Sequence, residues 1–194
     1  MRAKHRRRRR VAIASAVVAA GVLTGVLLGL VGKVDQAIQE LTLPLRHEDI
    51  IRQQADEKGV DASLIAAVIY AESRFRDQTS DAGARGLMQI TPETALDIAR
   101  RSEAQTFVLK DLGDPQINIS YGTYHLRDLL ELYDGNEVAA LAAYNAGPGN
   151  VDAWGGGDLK LENIRFPETR AYVEDVLDKQ DEYRREYPRE LGYR

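Results

Sequence analysis

The sequence contains no cysteine among its 194 residues. This absence excludes disulfide bonds, thiolate chemistry and a lipid-modified cysteine near the N-terminus. It leaves the cellular compartment open, because a domain with a good hydrophobic core can fold outside the cytoplasm without disulfide bridges. No histidine or cysteine cluster has the spacing of a metal site, so we expect neither a metal nor another cofactor.

Strand-like alternation and internal repeats are also missing. The chain after residue 46 instead reads as successive amphipathic segments, separated by helix start and stop signals. At 194 residues there is room for one ordinary domain and a short appendage. The sequence therefore predicts a mostly α fold with a single globular domain.

Acidic residues are absent from residues 1–10, which hold seven of the chain's 26 bases and leave 19 bases against 30 acids for the rest. Residues 11–32 carry no charge at all over 22 positions. A helix of that length spans roughly 33 Å, enough for the hydrocarbon core of a bilayer. A basic block before such a segment keeps the N-terminus cytoplasmic, so everything after Lys33 is predicted to be exported.

Two other readings of the N-terminus are weaker. A cleaved signal peptide has the same order of regions, but this apolar region is longer than a typical signal core and no small-x-small cleavage site precedes Lys33. Nucleic-acid binding by the basic block is disfavoured because an apolar span follows it at once. We predict an uncleaved, single-pass anchor in the cytoplasmic (inner) membrane, with the globular domain periplasmic or otherwise extracytoplasmic.

The predicted organisation is a basic cytoplasmic tail at 1–10, a transmembrane helix at 11–32, a stalk at 33–45, a globular domain at 46–187 and a C-terminal tail at 188–194. Helix boundaries within the domain are indicated by Gly59, Asp61, Thr91-Pro92, Asp114-Pro115 and Gly135. The charge-dense C-terminal stretch is read as a solvated helix face that frays at Pro188.

One carboxylate, Glu72, interrupts an apolar helical pattern in the segment LIAAVIYAES. It follows on the face formed by Leu64, Ile65, Val68 and Ile69. Burial raises the pKa of a carboxyl group toward values that suit a general acid. Periodicity alone leaves a second reading open, in which Glu72 is solvated or pairs with Arg74 or Arg76.

Two further segments have unusual composition. DAGARGLMQITP contains a glycine turn that would deliver Met88 and Gln89 to a fixed place, although a plain interhelical turn with Met88 in the core is an alternative. AAYNAGPGNV places Tyr144 and Asn145 at the end of an alanine-rich helix. A phenol and an amide there suit hydrogen bonding to a sugar, although capping and core packing are commoner uses.

Taken together, four segments resemble the catalytic domain of the soluble lytic transglycosylase family, bacterial enzymes that cut peptidoglycan glycan strands. The segments are AESRF (71–75), GARGLMQITPETA (83–95), AAYNAGPGNVDAW (142–154) and FPETRAYVEDVL (166–177). The resemblance implies a lysozyme-like helical domain in which Glu72 is the single catalytic acid and base. It further implies that the sugar strand is bound by Ser73, Met88, Gln89, Tyr144, Asn145 and Glu168.

The chemistry implied by this resemblance is non-hydrolytic cleavage of the MurNAc-GlcNAc β-1,4 bond, which leaves 1,6-anhydromuramic acid ends. Two alternatives stay open. A lysozyme-like muramidase on the same fold would use Asp77, Asp81 or another acid to hold a water, because ordinary glycosidases use two carboxylates. A non-catalytic peptidoglycan-binding scaffold is the other, although such a protein has no need of Glu72.

Overall fold

The computed structural model describes residues 39–102 and 106–193. The chain divides into two compact units, Met1–Leu43 and Pro44–Arg194. The predicted transmembrane helix at 11–32 lies outside the described residues, as does most of the predicted stalk. Within the part of the chain that is described, no helix is both long and apolar enough to cross a membrane.

Unit Pro44–Arg194 is built from helices and short 3-10 turns, as the sequence predicts. Its α-helices are α1 (Glu48–Lys58), α2 (Ala62–Ser73), α3 (Pro92–Arg101), α4 (Pro115–Leu132), α5 (Glu137–Ala146), α6 (Pro148–Trp154) and α7 (Pro167–Glu186). The only β-type pairings among the described residues are isolated bridges that join Arg85 to Thr79 and to Ile90.

The predicted start and stop signals operate as expected. The Asp61 carboxylate accepts hydrogen bonds from the backbone N–H groups of Ser63 and Leu64 and so caps α2, while Gly59 ends α1 in the left-handed conformation. Thr91 and Asp114 cap α3 and α4, each followed by a proline at the first helical position. These caps fix where each helix begins.

Helix α2 forms the centre of the unit. Every residue from Ala62 to Ile69 is buried, so this helix is covered on all sides rather than along one stripe. It packs most extensively against α7, while α5 contacts α4, α6 and α7. Only the last turn of α2 approaches the surface, and this is the turn that carries Glu72.

The end of α2 is fixed by two consecutive non-glycine residues in the left-handed region. Arg74 has φ 51° and Phe75 has φ 59°, a conformation that costs about 1 kcal/mol or more for each such residue. Phe75 is 3% exposed, and its ring centroid lies 6.2 Å from that of Tyr183 on α7. Packing of Phe75 against α7 therefore holds the strained helix end in place.

Two segments contain helical turns that the sequence analysis does not predict. Gly147 ends α5 with φ 88°, and Pro148 then starts the additional short helix α6, because its fixed φ suits a first helical turn. The glycine-rich loop at 155–157 is in part a 3-10 turn, Gly156–Asp158.

The C-terminal stretch also differs from its prediction as a fraying, solvated end. Beyond α7 the chain folds back, and Leu191 is buried. The Tyr193 hydroxyl donates to Asp61 Oδ1 at 2.6 Å and accepts from the Ser63 N–H at 3.0 Å. Arg184 adds an ion pair to Asp61 at 2.9 Å. The high charge density of this segment gives no sign of such packing in the sequence. Tyr193 and Arg184 therefore stabilise the N-terminus of α2 in addition to its Asp61 cap.

Candidate active site

Glu72 lies in the last turn of α2 with its carboxyl group partly buried. The hydroxyl of Tyr172 on α7 donates a hydrogen bond to Glu72 Oε1 at 2.8 Å. The two residues are 100 positions apart in the sequence, and the packing of α2 against α7 brings them together. This contact leaves the second carboxyl oxygen, Oε2, available for a proton.

Burial raises the pKa of Glu72 to about 7, even though the hydrogen bond from Tyr172 acts in the opposite direction. The position of Glu72 at the C-terminal end of α2 acts in the same direction as burial, because the partial negative charge of a helix C-terminus disfavours an ionised carboxylate. A large fraction of Glu72 is therefore protonated near neutral pH, as a general acid requires.

The reading in which Glu72 pairs with a neighbouring arginine is wrong. The Arg74 guanidinium lies over the ring of Tyr70, 5.6 Å from its centroid, and Arg76 Nε donates to the Ser73 carbonyl at 3.3 Å. None of the ion pairs formed by the described residues includes Glu72. Its carboxyl partner is a neutral phenol.

Asp77 and Asp81, the acids that a hydrolase reading would use, are both exposed on the stretch that follows α2. The pKa of Glu72 responds to burial and to the Tyr172 phenol, not to either aspartate. The geometry therefore brings no second carboxylate into contact with Glu72 among the described residues. These residues also contain no group of three or more side chains placed to hold a metal ion.

The turn formed by residues 85–90 carries Gln89 with φ 47° and is closed by reciprocal backbone hydrogen bonds of Arg85 and Ile90. Gln89 Nε2 donates to the carbonyls of Gly86 at 2.8 Å and Gln78 at 3.1 Å. Gln78 Nε2 in turn donates to the backbone carbonyl of Glu72 at 3.1 Å. Gln89 is thus fixed next to the end of α2.

Met88 and Ser73, two of the predicted sugar-binding residues, have almost no accessible surface in this conformation. Met88 is 0% exposed and fills the space beside Gly122, while Ser73 is 2% exposed. The Ser73 hydroxyl lies 2.7 Å from the Leu87 carbonyl oxygen, so it ties α2 to the turn. The alternative with Met88 in the core matches its observed position, and direct sugar contact by either side chain stays a prediction.

Tyr144 lies at the end of α5, and its hydroxyl donates to the Met88 carbonyl at 2.8 Å. Burial and the nearby Glu72 charge raise its pKa well above 10, so the phenol stays neutral. The ring of His125 on α4 lies 5.2 Å from that of Tyr144, centroid to centroid, and burial lowers the pKa of this histidine. Neutral aromatic groups thus line this side of Glu72.

Asn145 and Glu168 are exposed at adjoining helix ends. The Asn145 Oδ1 atom accepts a hydrogen bond from the Thr169 hydroxyl at 2.8 Å, which joins the end of α5 to the first turn of α7. Glu168, the preceding residue, is presented to solvent beside this junction. The structure therefore brings Asn145 and Glu168 into one region, and their contact with a sugar stays a prediction.

Sequence reasoning missed Tyr172 and Thr169. Both lie within FPETRAYVEDVL. Thr169 follows Glu168 directly and Tyr172 follows it by one helical turn, so helical spacing from Glu168 was the available signal. Neither residue type is distinctive by itself. Their roles depend on contacts with α2 and α5 that periodicity does not specify.

The raised pKa of Glu72 predicts a pH-dependent stability difference. In the unfolded chain this carboxyl ionises near 4.5, whereas the native state retains the proton to about 7. The native state then binds more protons across this window, so Glu72 lowers the free energy of unfolding as pH rises from 4.5 to 7, by up to about 3 kcal/mol. Urea unfolding of wild type and Glu72→Gln at pH 4.5 and pH 8 should show the variant gaining relative stability at the higher pH. A stability difference that is independent of pH would contradict this account of the carboxyl group.

Comparison with known proteins places these features in a family. Residues 49–166 match the profile described as "Transglycosylase SLT domain". The chain is 33% identical over 164 residues to the soluble lytic murein transglycosylase of Escherichia coli K12, a match that covers 80% of this chain and 25% of the relative. It is 38% identical over 112 residues to the membrane-bound lytic murein transglycosylase C of Cronobacter sakazakii, covering 53% of this chain and 31% of that protein.

Solved structures give the same result. The 70-kDa soluble lytic transglycosylase of Escherichia coli superposes with a TM-score of 0.72 at 32% identity, covering 79% of this chain and 26% of that one. An inactive glutamate-to-glutamine mutant of the lytic transglycosylase Slt of Pseudomonas aeruginosa gives 0.71 at 34% identity, covering 76% and 25%. The chain thus spans about a quarter of the length of these larger proteins.

Proposed function

Because this chain belongs to the transglycosylase SLT domain family and has its all-helical, lysozyme-like fold, we propose that it is a peptidoglycan lytic transglycosylase. Its substrate is the glycan strand, and the reaction cleaves the MurNAc-GlcNAc β-1,4 bond without water. The observation that carries the proposal is Glu72, a partly buried carboxyl group with a pKa of about 7 whose contact is a phenol rather than a second acid.

A single carboxyl group can complete this reaction if it serves twice. Protonated Glu72 gives its proton to the glycosidic oxygen as the bond to C1 of the muramic acid breaks. The resulting carboxylate then takes the proton from the 6-hydroxyl of that sugar, whose oxygen bonds to C1. The products are a free 4-hydroxyl and a 1,6-anhydro end, Glu72 is protonated again, and no water is consumed.

The remaining site residues support this cycle in distinct ways. Tyr172 holds the carboxyl group in place through Oε1. Tyr144, Asn145 and Glu168 bind or orient the sugars, since they lie around the exposed end of the site. The turn at 85–90 forms part of the cleft wall and carries Gln89. The buried residues Met88 and Ser73 contribute by holding the backbone of this turn in place.

A hydrolase is disfavoured because it requires a second carboxylate to hold the attacking water, at a separation of several ångström from the acid. Asp77 and Asp81 are exposed on a connecting segment, and neither influences the pKa of Glu72. A non-catalytic scaffold does not need a partly buried carboxyl group with a raised pKa that is held by Tyr172. A hydrolase would leave reducible ends and a scaffold would leave no products, so one assay distinguishes both from a transglycosylase.

Residues 11–32 anchor this enzyme in the cytoplasmic membrane, with residues 1–10 on the cytoplasmic side and the SLT domain outside. The support is the uncharged span of 22 residues and the basic block that precedes it. Alkaline carbonate extraction of membranes provides the test. Full-length protein should stay in the membrane and a deletion of residues 1–32 should not, whereas release of the full-length protein by carbonate would refute the anchor.

The catalytic proposal is tested by digesting peptidoglycan with the purified full-length protein and analysing the released muropeptides by mass spectrometry after borohydride reduction. An anhydro end resists reduction, while the reducing end left by a hydrolase gains two hydrogens. Anhydro products made by wild type and not by Glu72→Gln support the proposal. Reducible ends would replace it with a muramidase, and no cleavage by well-folded protein would replace it with a scaffold.

A further inference from the structure

Three side chains from three helices hold the backbone of the turn at 85–90. Ser73 on α2 donates to the Leu87 carbonyl, and Tyr144 on α5 donates to the Met88 carbonyl. The third is Asn118 on α4, whose Oδ1 accepts from the Met88 N–H at 2.8 Å. Both backbone polar groups of Met88 are therefore fixed, the N–H by Asn118 and the carbonyl by Tyr144.

Asn118 is a buried amide whose hydrogen bonds all go to backbone groups. It is 1% exposed, and its Nδ2 donates to the carbonyls of Arg85 at 2.9 Å and Leu112 at 3.0 Å. The turn is moulded around this side chain, because a Cβ atom at Gly86 would lie 2.1 Å from Asn118 Nδ2. Gly86 also has φ 76°, so no other residue fits there without moving the amide.

The position of the Met88 carbonyl determines how Tyr144 meets the cleft. A phenol has one proton, and that of Tyr144 is given to Met88. The Tyr144 oxygen can then only accept a hydrogen bond from the reacting groups. Tyr172 has the opposite polarity, because its proton is given to Glu72. The site thus contains one donating and one accepting phenol.

We propose that Asn118 is a positioning residue for the reaction, because it fixes the backbone of Met88, whose carbonyl makes Tyr144 an acceptor. Among the described residues this leaves Tyr172 as the only phenol that donates to Glu72. This inference rests on the proposed transglycosylase function for its kinetic readout. Asn118 itself is buried and touches neither substrate nor Glu72. Its effect passes through Met88 and Tyr144.

The charge of Glu72 acts on the Tyr144 phenol, so the two groups lie close together, and release of the Met88 carbonyl would leave the Tyr144 hydroxyl free to donate to the Glu72 carboxylate. A second donor stabilises the ionised form and lowers the pKa of Glu72 below about 7. Besides burial, the pKa of Glu72 is set by the hydrogen bond from Tyr172 on α7, and the charge of Glu72 adds to burial in raising the pKa values of Tyr144 on α5 and of Tyr172, on which Asp175 also acts. Behind Tyr144, His125 feels Asp128, Arg101 and Asp97. Of these groups, only Tyr144 changes in the variants used below.

The decisive experiment is a double-mutant cycle with Asn118→Ala and Tyr144→Phe in full-length protein. Asn118→Ala is expected to lower kcat about 10-fold in the wild-type background and to move the alkaline limb of the pH profile to lower pH. In the Tyr144→Phe background it should change kcat less than about twofold and leave the limb in place. Equal losses in both backgrounds would overturn the proposal, since a merely structural role does not depend on the Tyr144 hydroxyl.

Thr123→Val is the matched control, because Thr123 is buried on the same helix and its hydroxyl has no hydrogen-bond partner. It should leave the pH profile unchanged. If Asn118→Ala unfolds at the assay temperature, Asn118→Ser retains a smaller polar group for the same cycle.

Carbon-13 NMR titration of Glu72 measures the effect of Asn118 on the Glu72 pKa without catalysis. A lower Glu72 pKa in the Asn118 variant supports the inference even if wild type yields no anhydro product, and an unchanged pKa refutes it.

Discussion

Replacing Glu72 by glutamine is expected to reduce glycan-strand cleavage by at least about 10³-fold while leaving fold and glycan binding intact. Glutamine keeps the shape of the side chain but carries no transferable proton, and general acid catalysis contributes about 10² to 10⁴ in rate for one proton transfer. In the proposed mechanism the same carboxyl group performs both transfers, so its loss removes both. The measurement is the release of soluble muropeptides per minute at saturating peptidoglycan.

Glu57→Gln provides the matched control, because Glu57 is an exposed glutamate on α1 whose carboxyl group bonds to Gln53. This variant should cleave strands at the wild-type rate. Binding of Glu72→Gln to insoluble sacculi, measured by co-sedimentation, should equal that of wild type. Cleavage by Glu72→Gln at a rate comparable to wild type would show that Glu72 is not the acid.

Tyr172→Phe is expected to produce the second large effect, on the pH profile as well as on the rate. The Tyr172 hydrogen bond lowers the pKa of Glu72, so its removal raises that pKa further above its ordinary value. A hydrogen bond to a charged group contributes about 1.5 to 3 kcal/mol, which corresponds to a shift of about one to two pH units. Because the reaction needs protonated Glu72, the alkaline limb of kcat/KM should move to higher pH by about that amount.

The maximum rate of Tyr172→Phe should also fall, by about 10-fold, because the carboxyl group loses the contact that orients it. Tyr183→Phe is the matched control, since Tyr183 is a buried tyrosine of the same helix whose hydroxyl donates to the Pro44 carbonyl at 2.6 Å. That variant should leave the alkaline limb where it is. An unchanged limb in Tyr172→Phe would mean that its hydroxyl does not act on the Glu72 carboxyl group in solution.

Glu72 could be found from the sequence because it breaks a pattern. An acid that follows the apolar face of a helix such as α2 is unusual, and the start of this helix is marked by a local signal, the cap Asp61. Fold class was predictable for the same reason. Start and stop residues act within a few positions of the helix ends that they define.

The partner of Glu72 could not be found in this way. Tyr172 reaches Glu72 only through the packing of α7 on α2, and a tyrosine in an amphipathic helix gives no sign of which helix it faces. Met88 shows the converse problem. Its motif suggests a cleft residue, but Gly122 on α4 leaves a slot that the methionine fills, because a Cβ there would lie 2.3 Å from the Met88 sulfur.

The C-terminal stretch differs from its prediction because its charge density conceals a few buried residues. Its charges lie on the exposed side, whereas Tyr183 and Leu191 are buried and Tyr193 is bonded to Asp61. A few apolar residues within a highly charged segment are only a weak signal that the segment packs against the core. As a result, a segment read as a solvated tail is part of the support for the helix that carries Glu72.

The central claim is that one carboxyl group cleaves the strand without water, and cleavage in water enriched in oxygen-18 tests it most directly. The full-length protein digests peptidoglycan in labelled and in ordinary water, and mass spectrometry compares the new muramic acid ends. The account predicts identical product masses in the two solvents, because the ring-closing oxygen comes from the sugar's own 6-hydroxyl. Incorporation of one labelled oxygen at C1 of each new end would contradict it, because a 1,6-anhydro end has no C1 hydroxyl that water could supply or exchange.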